Sequence, residues 1–218
     1  MAILDKAKFL LIPSGYKSAK VYSVFPSSGA FDFTFARVGD GATRQNIGGL
    51  LESKSANIPR LNHFNGGCPS LLIEGTITNR QLYSEQFDNA AWVKRSDITV
   101  TANQIASPDG QITADKIQRG STVNTNNYLH DSANKSSSSQ LNASTSVFVK
   151  QGNGDFFAFR MTGTYPNRVD AIFQFSNTTL TTSEGGSNFT TIRSKVENYG
   201  NGWFRLSVSY NTDVFFFF

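Results

Sequence analysis

The sequence is poor in the residues that build covalent cross-links and metal sites. Its single cysteine, Cys68, rules out a disulfide within the chain and a zinc site made of cysteines. The two histidines, His63 and His130, argue against a histidine-rich metal centre. We therefore expect no metal and no cofactor, and a fold stabilised by apolar burial or by association with other chains.

Charge is also scarce. Charged residues make up 17% of the 218 residues, and 20 Lys and Arg against 16 Asp and Glu give a formal net charge of +4. The basic residues are scattered, and the densest pairs, Lys6 with Lys8 and Lys94 with Arg95, lie near acidic residues. Because a basic stripe is the electrostatic footprint of nucleic-acid binding, we expect no nucleic-acid partner.

The amino terminus lacks a long hydrophobic segment. In MAILDKAKFLLIPSGYKSAK the apolar run is short, Lys6 and Lys8 interrupt it, and no small-residue cleavage pattern follows. This pattern predicts neither a signal peptide nor membrane insertion. We expect a protein that is made in a cytosol and is not exported through a secretion channel.

Catalytic motifs are missing as well. The chain has no G-x-S-x-G elbow, P-loop, dinucleotide glycine fingerprint or H-E-x-x-H motif. We interpret Cys68 as a buried thiol, His63 as a local hydrogen-bonding residue, and the adjacent His130 and Asp131 as weak evidence of chemistry. The carboxylates mostly adjoin Gly, Asn or Ser, as turn residues do, and no pair flanked by aromatics suggests a glycosidase: Glu85, Asp88, Asp97, Asp109, Asp115, Asp155, Asp170, Glu184 and Glu197. The sequence predicts no catalytic residue and a non-enzymatic protein.

Aromatic and small polar residues are abundant instead. Phe alone contributes 19 residues and aromatics reach 13%. Aromatic and β-branched side chains suit a pleated surface, whereas Asn, Gly and Ser suit turns. The composition therefore predicts an all-β protein.

Residues 1–80 differ from the remainder. Short apolar runs are separated by Pro, Gly and Ser, and FDFTF, residues 31–35, alternates as a half-buried strand does. We interpret residues 1–80 as an extended anchoring adaptor that folds against other subunits; a small independent β domain is the alternative. The side chains expected to dock on partners are Phe9, Leu10, Leu11, Phe31, Phe33 and Phe35.

Residues 81–218 carry a regular series of strand patterns. The predicted strands are RQLYSEQF, SDITVTANQ, QITADKIQ, STSVFVKQ, DFFAFRMTG, DAIFQFSN, FTTIRSKVEN and GWFRLSVSYN. SPDG and QGNGD are predicted turns, SEQFDNAAW has one possible helical turn, and a polar loop spans residues 124–140. Many short strands with turn residues between them predict an antiparallel β-sandwich or jelly roll.

The stretch YSEQFDNAAW, residues 83–92, admits two interpretations. Aromatics beside carboxylates suit a sugar-binding cleft, and they equally suit the corner of a β-sandwich. We favour the corner, because tryptophan dominates the packing of small sandwiches. The expected arrangement has Trp92 paired with Trp203 in the core, Tyr83 and Phe87 packed inward, and Glu85 and Asp88 starting a short turn.

The final residues DVFFFF are too apolar for a strand with one wet face. Burial of one Phe contributes about 2 kcal/mol. We expect Phe215, Phe216, Phe217 and Phe218 to complete a subunit interface or to precede a natural continuation of the chain.

Four ordered motifs resemble a known family. LLIEGTITNRQLYSEQFDNAAWVK, ITVTANQIASPDGQITADKI, SVFVKQGNGD and NYGNGWFRLSVSY are similar to carbohydrate-binding-module-like (concanavalin-like) jelly rolls of tailed-bacteriophage structural proteins. The similarity covers residues 71–210. LLIPSGYKSAKVYSVFP, FDFTFARVGDGATR and NIPRLNHFNGGCPSLLIEG resemble the amino-terminal module of such proteins in crAss-like phages. Arg80 stands where that family usually has Leu, and the family sandwich usually continues with a final strand pair, so we expect a neighbour to supply the last strands or a reduced fold.

The resemblance implies a virion protein: a trimeric head fibre or capsid decoration protein, docked through residues 1–80 with residues 81–218 projecting outward. It implies a homotrimer, contacts with capsid or other virion proteins, and no catalytic residues. The alternative is a tail-associated receptor-binding protein that attaches to host surface glycans. A glycan depolymerase is a third and weaker hypothesis.

Overall fold

The structure is a computed structural model that describes residues 15–17, 20–22, 33–39, 42–75, 79–121, 127–131 and 141–212. In these residues the protein is all-β with antiparallel sheets, and the one helix is a single 3-10 turn, Phe64–Gly66. No helix within these ranges has the length and hydropathy needed to cross a membrane. The backbone divides into two compact units, Met1–Ile77 and Thr78–Phe218.

The unit Met1–Ile77 contains very short antiparallel strands. In its described part these are β1 (Gly15–Lys17), β2 (Lys20–Tyr22), β3 (Phe33–Thr34), β4 (Ala42–Gln45), β5 (Leu51–Lys54), β6 (Leu61–Asn62) and β7 (Ser70–Leu71). β1, β2 and β3 form one sheet, β4 pairs with β5, and β6 pairs with β7. β3 occupies the centre of the predicted FDFTF strand.

Arginine side chains connect these short strands. Arg60 is 9% exposed and donates to the Glu74 carboxylate at 2.7 Å and to the Thr43 carbonyl at 3.2 Å. Arg44 donates to Glu52 and, at 2.9 Å, to the Leu61 carbonyl. Strands of two to four residues bury little apolar surface, so hydrogen bonds of this kind contribute much of the local order.

The unit Thr78–Phe218 contains longer strands. Its described strands are β8 (Trp92–Lys94), β9 (Ile98–Ala106), β10 (Ile112–Arg119), β11 (Leu129–Asp131), β12 (Leu141–Lys150), β13 (Phe156–Thr162), β14 (Arg168–Gln174), β15 (Thr179–Gly185), β16 (Phe189–Gly200) and β17 (Trp203–Thr212). Two three-stranded sheets have the orders β12-β17-β16 and β13-β14-β15, and β9 with β10 and β8 with β11 form separate pairs. Every pairing is antiparallel.

Side chains from both three-stranded sheets meet in a common hydrophobic core. β17 alternates as an amphipathic strand should, with Leu206 and Val208 fully buried. Val208 packs in one cluster with Met161 of β13 and Val169 of β14. A second cluster unites residues of β12, β14 and β17: Val149, Phe173 and Leu206. The core therefore joins two sheets: β13, β14 and β15 are consecutive along the chain, whereas β12 precedes them and β16 and β17 follow them in the other sheet.

Turn residues fix the β16–β17 hairpin. Gly200 faces Trp203 across a two-residue connection, and Asn201 and Gly202 have φ values of 51° and 81°. Positive φ at both central positions is the signature of the type I′ turn that matches strand twist, and Asn-Gly is its preferred sequence. The sequence Gly200-Asn201-Gly202 therefore forms the tight turn that precedes Trp203.

Most of the predicted strands of this unit are confirmed, and five predictions are wrong, four in this unit and one in the unit Met1–Ile77. RQLYSEQF is not a strand, and SEQFDNAAW contains no helix, because residues 82–91 form turns and bends. The polar loop of residues 124–140 contains β11. Tyr83 does not pack inward: it is 49% exposed, with φ of 53° in its turn. Cys68 is exposed, since it lies in the loop between the 3-10 turn and β7.

Candidate ligand-binding face

Most of the predicted docking residues cannot be placed. Phe9, Leu10, Leu11, Phe31, Phe215, Phe216, Phe217 and Phe218 lie outside the described residues. Phe33 lies in β3, and Phe35 follows it with a half-buried side chain. The docking surface therefore stays a prediction.

The stretch YSEQFDNAAW forms a series of consecutive turns. Three backbone hydrogen bonds of 3.0–3.1 Å, each from an N–H to the carbonyl three residues earlier, connect Tyr83 to Trp92. Trp92 is 5% exposed, its indole N–H donates to the Tyr83 carbonyl at 3.0 Å, and its ring centroid lies 5.0 Å from that of Phe87. Phe87 thus packs inward as predicted. Trp203 is also buried, but its indole N–H donates to the Ala106 carbonyl at 3.1 Å. The ring contact of Trp92 is with Phe87, so the predicted pairing of Trp92 with Trp203 is not found among the described residues.

Asp115 of β10 fastens this stretch to the β9–β10 hairpin. Its Oδ2 accepts hydrogen bonds from the backbone N–H groups of Phe87 at 2.8 Å and Asp88 at 3.3 Å. Its Oδ1 accepts from the N–H of Asn103 at 3.0 Å, in a bulge where the β9 register shifts. Asn103 has φ of 56°, a conformation that Asn tolerates better than most residues. These three hydrogen bonds account for the position of the Asp115 carboxylate without any role in catalysis or ligand binding.

A shallow cavity of about 330 Å³ adjoins this carboxylate. All seven residues that line it are of polar types: Glu85, Gln86, Asp88, Asn89, Asn103, Thr113 and Asp115. No aromatic ring lines the cavity, since Trp92 and Phe87 pack against each other, so it lacks a stacking surface for a sugar. No group of three His, Cys, Asp or Glu residues in the described ranges is placed to hold a metal ion. The cavity does not support the cleft interpretation of YSEQFDNAAW.

The two histidines have local roles. His63 Nδ1 lies 3.0 Å from the Gly67 carbonyl, which confirms the predicted local hydrogen bond. Burial lowers the pKa of His130, and the nearby Arg95 guanidinium lowers it further. Arg95 Nε donates to His130 Nε2 at 3.4 Å, as expected for a neutral imidazole. Among the described residues, neither histidine has a hydrogen bond to a Ser, Thr or Cys side chain.

The outer face of the β12-β17-β16 sheet gathers polar, basic and aromatic side chains. Residues that alternate with the core positions Leu206 and Val208 point away from the core. We call the following set the Arg205 face: Ser144, Ser146 and Phe148 of β12; Arg205, Ser207 and Ser209 of β17; and Arg193, Lys195, Glu197 and Tyr199 of β16. The strand register arranges nine of them in three rows across the sheet: Ser144–Ser209–Arg193, Ser146–Ser207–Lys195 and Phe148–Arg205–Glu197.

Arg205 lies at the centre of the third row. Its Cζ is 5.9 Å from the Phe148 ring centroid, within the range of a cation–π interaction. Its Nη2 donates to Ser146 Oγ at 3.3 Å, and its Nη1 is 3.9 Å from Glu197 Oε2. Phe148 and Tyr199 meet edge to face above the central strand, with centroids 5.0 Å apart. Side chains from all three strands thus converge on one guanidinium.

Reasoning from sequence missed this face. The basic residues look scattered along the chain, yet pairing of β12 and β16 with β17 brings Arg193, Lys195 and Arg205 onto one surface. A signal was present in WFRLSVSY and TIRSKVENY, where polar residues alternate with apolar ones. Alternation identifies which side chains share a face of one strand, but only the register shows which rows form.

Comparison with known proteins adds no assignment. No protein-family model matches the chain, and no curated protein matches it. The four motifs therefore carry the family resemblance by themselves, beside the geometry of the described residues.

Proposed function

We propose that this chain is a non-enzymatic structural protein of a tailed-bacteriophage virion, a head fibre or capsid decoration protein that assembles as a homotrimer. Residues 1–80 dock on capsid or other virion proteins, and residues 81–218 form an outward jelly-roll sandwich. In this proposal the protein assembles into the virion in the cytoplasm of the bacterial host and uses no cofactor.

The observation that carries the proposal is that three of the four family motifs coincide with strands and their turns. ITVTANQIASPDGQITADKI runs from β9 through its turn into β10. SVFVKQGNGD covers the second half of β12 and the turn after it, and NYGNGWFRLSVSY covers the turn of the β16–β17 hairpin and most of β17. Two antiparallel sheets with one core are the two layers that a sandwich requires. These features support the jelly-roll assignment and, through it, the virion role.

Exposed apolar side chains support association with further copies. Phe156 and Ile172 are 64% and 46% exposed, and they adjoin on the outer face of the β13-β14-β15 sheet because Ala158 faces Ile172. Contiguous apolar surface of this kind marks interaction sites more often than isolated exposed residues do. It is a suitable contact surface for neighbouring protomers.

Two measurements test the proposal. Light scattering on the purified chain at micromolar concentration is expected to give about three times the 23.9 kDa protomer mass. A cryo-EM map of intact particles is expected to show three copies per attachment site on the head. A stable monomer with an ordered amino terminus, or particles without this chain, contradicts the proposal.

A tail-associated glycan-binding protein is the second candidate. The observation that favours it is the Arg205 face, where aromatic rings lie beside a guanidinium and several hydroxyls. A glycan array tests it: binding that disappears when Tyr199 is replaced by alanine supports it, and an array without signal favours the purely structural role.

A further inference from the structure

We infer that the Arg205 face binds an acidic polysaccharide, a chain of sugar rings that carry carboxylates, laid across the β12-β17-β16 sheet. The inference rests on the second candidate function above, glycan binding, and names its site and ligand class. It does not depend on whether the protein is attached to the head or the tail.

The first argument concerns the N–H donors of the Arg205 guanidinium that have no hydrogen-bond partner in the described part of the protein. A guanidinium has five N–H groups arranged as a fork that fits a carboxylate. In the described part of the protein Arg205 makes a single hydrogen bond, to Ser146 at 3.3 Å, and its 3.9 Å approach to Glu197 is too long for another. Its Nε is buried without a hydrogen-bond partner among the described residues, but the side chain as a whole is 40% exposed, so a carboxylate from solvent can approach its Nη groups.

The second argument is charge. The three rows carry the cations Arg193, Lys195 and Arg205 against the single carboxylate of Glu197. Lys195 binds Glu197 at 2.7 Å while its own side chain stays 66% exposed. Glu197 is therefore neutralised from within the face, and the surface potential that remains is positive. A ligand of complementary charge is negative.

The third argument is the mixture of hydroxyls and aromatic surface. Ser146 faces Ser207, and Ser144 faces Ser209, so small hydroxyl side chains form a shallow floor that can exchange hydrogen bonds with sugar hydroxyls. At one end the Phe148 and Tyr199 rings, both half-buried, rise beside Arg205 and offer apolar surface for a sugar ring. An open surface of serine hydroxyls with aromatic rings at one end suits an extended polysaccharide better than a small ligand that needs an enclosed pocket.

A protein partner fits this composition less well. The cores of protein interfaces are depleted in Lys, Glu and Ser and enriched in aromatic residues, Met and Arg. On the Arg205 face Ser, Lys and Glu contribute six of the ten residues, whereas the apolar pair Phe156 and Ile172 lies on the other three-stranded sheet. The two sheets thus present surfaces of different chemistry.

The experiment uses the full chain and three immobilised polymers. Polygalacturonate has sugar rings and carboxylates, dextran has rings without charge, and polyphosphate has charge without rings. We expect polygalacturonate alone to retain the protein at low salt, and retention to fall between 25 and 300 mM NaCl because salt screens exposed charges over about 10 Å at 0.1 M.

Variants locate the site. Lys195→Gln and Arg205→Gln are each expected to weaken polygalacturonate binding about tenfold, the effect of losing one charged hydrogen bond. Arg160→Gln is the matched control: it removes one positive charge paired with a carboxylate, Asp170, on the other sheet, and should leave binding unchanged. Lys195 is exposed enough that its replacement leaves the fold intact, which keeps the test valid if Arg205→Gln is unstable.

Three results overturn the inference: no retention on any polymer, equal retention on polyphosphate or dextran, or equal weakening by Arg160→Gln. The mass of the same preparation is measured in parallel by light scattering. A trimer that binds none of the polymers refutes the acidic-glycan site and leaves the virion role standing, whereas a monomer that binds polygalacturonate does the reverse.

Discussion

Replacement of Asp115 by asparagine tests whether this carboxylate fastens YSEQFDNAAW to the β9–β10 hairpin. The two Asp115 oxygens accept from the backbone N–H groups of Phe87, Asp88 and Asn103. Asparagine has one acceptor oxygen, so its NH₂ group must face N–H donors on one side or the other. At least one charge-assisted hydrogen bond is lost in either orientation.

The magnitude follows from this count. A hydrogen bond to a charged group contributes about 1.5–3 kcal/mol, so the opening equilibrium of the stretch should shift by roughly 10- to 150-fold. Native-state hydrogen exchange measures it directly, because the amides of Phe87, Asp88 and Asn103 exchange only when these bonds open. We expect faster exchange by that factor in residues 83–92 and at the bulge, and little change in β14 or β17.

Asp109→Asn is the matched control. Within the described part of the protein, the Asp109 carboxylate accepts hydrogen bonds only inside its own turn, from Ser107 and, at 2.9 Å, from the Gln111 N–H. This variant should leave exchange in residues 83–92 unaltered. Unchanged exchange in Asp115→Asn, or a uniform increase across every strand, refutes the role of Asp115 as a local fastening.

Two further predictions concern the core and the acid side of the pH range. Phe173→Ala removes a fully buried ring whose centroid lies 4.9 Å from that of Phe175 and 5.3 Å from that of Phe204, and should lower the free energy of unfolding by about 3–5 kcal/mol. Urea titration of tryptophan fluorescence measures this change, because both Trp residues lie in the unit Thr78–Phe218. A loss below about 1 kcal/mol contradicts the packing. Hydrogen bonds from Gln174 and Ser176 lower the pKa of Asp155, so its ionised form stabilises the folded protein above the unfolded-state pKa, and that contribution disappears as pH falls through the lower folded-state value. An NMR titration should find the pKa of Asp155 below its ordinary value and moving back upward in Gln174→Ala; an equal pKa in the two proteins argues against this cause.

The sequence predicts the long strands well because their signal is local. SDITVTANQ, QITADKIQ and GWFRLSVSYN alternate apolar and polar residues between turn residues, and all three form strands. β15, Thr179–Gly185, was not predicted, because its sequence TLTTSEG has almost no apolar alternation. Pairing with β14 in a continuous seven-residue register makes it a strand, and that information is not local.

The error at RQLYSEQF has a different cause. Asn79 Oδ1 accepts from the Gln81 N–H and Asn89 Oδ1 accepts from the Ala91 N–H, both at 2.9 Å. Asparagine side chains that bind the backbone two residues on compete with strand pairing and favour turns. The apolar residues Leu82, Tyr83 and Phe87 suggested a strand, but the polar residues beside them determine the local backbone.

The Arg205 face could not be predicted from the sequence, because it depends on the pairing of strands that are far apart along the chain. Phe148 and Arg205 face each other in the β12–β17 register, although they are far apart along the chain. A shift of that register by one residue would turn every outward side chain of one strand into the core. Val149 and Leu206 are buried in one core cluster and forbid such a shift, so the same core contacts that stabilise the fold also hold the rows of the face together.

The core holds the inward residues of β17 but not its outward ones, so the outward residues can be replaced in the binding experiment without disturbing the core. On β17 the inward residues Leu206 and Val208 are fully buried, while the outward residues Arg205, Ser207 and Ser209 are only partly covered. Substitutions at outward positions away from the packed core typically change stability by no more than about 0.5 kcal/mol. A tenfold loss of binding in Lys195→Gln corresponds to about 1.4 kcal/mol, well above that background. A change in retention on polygalacturonate therefore measures a change in contacts at the Arg205 face. The inward residues of the supporting strand stay buried when its outward residues are replaced.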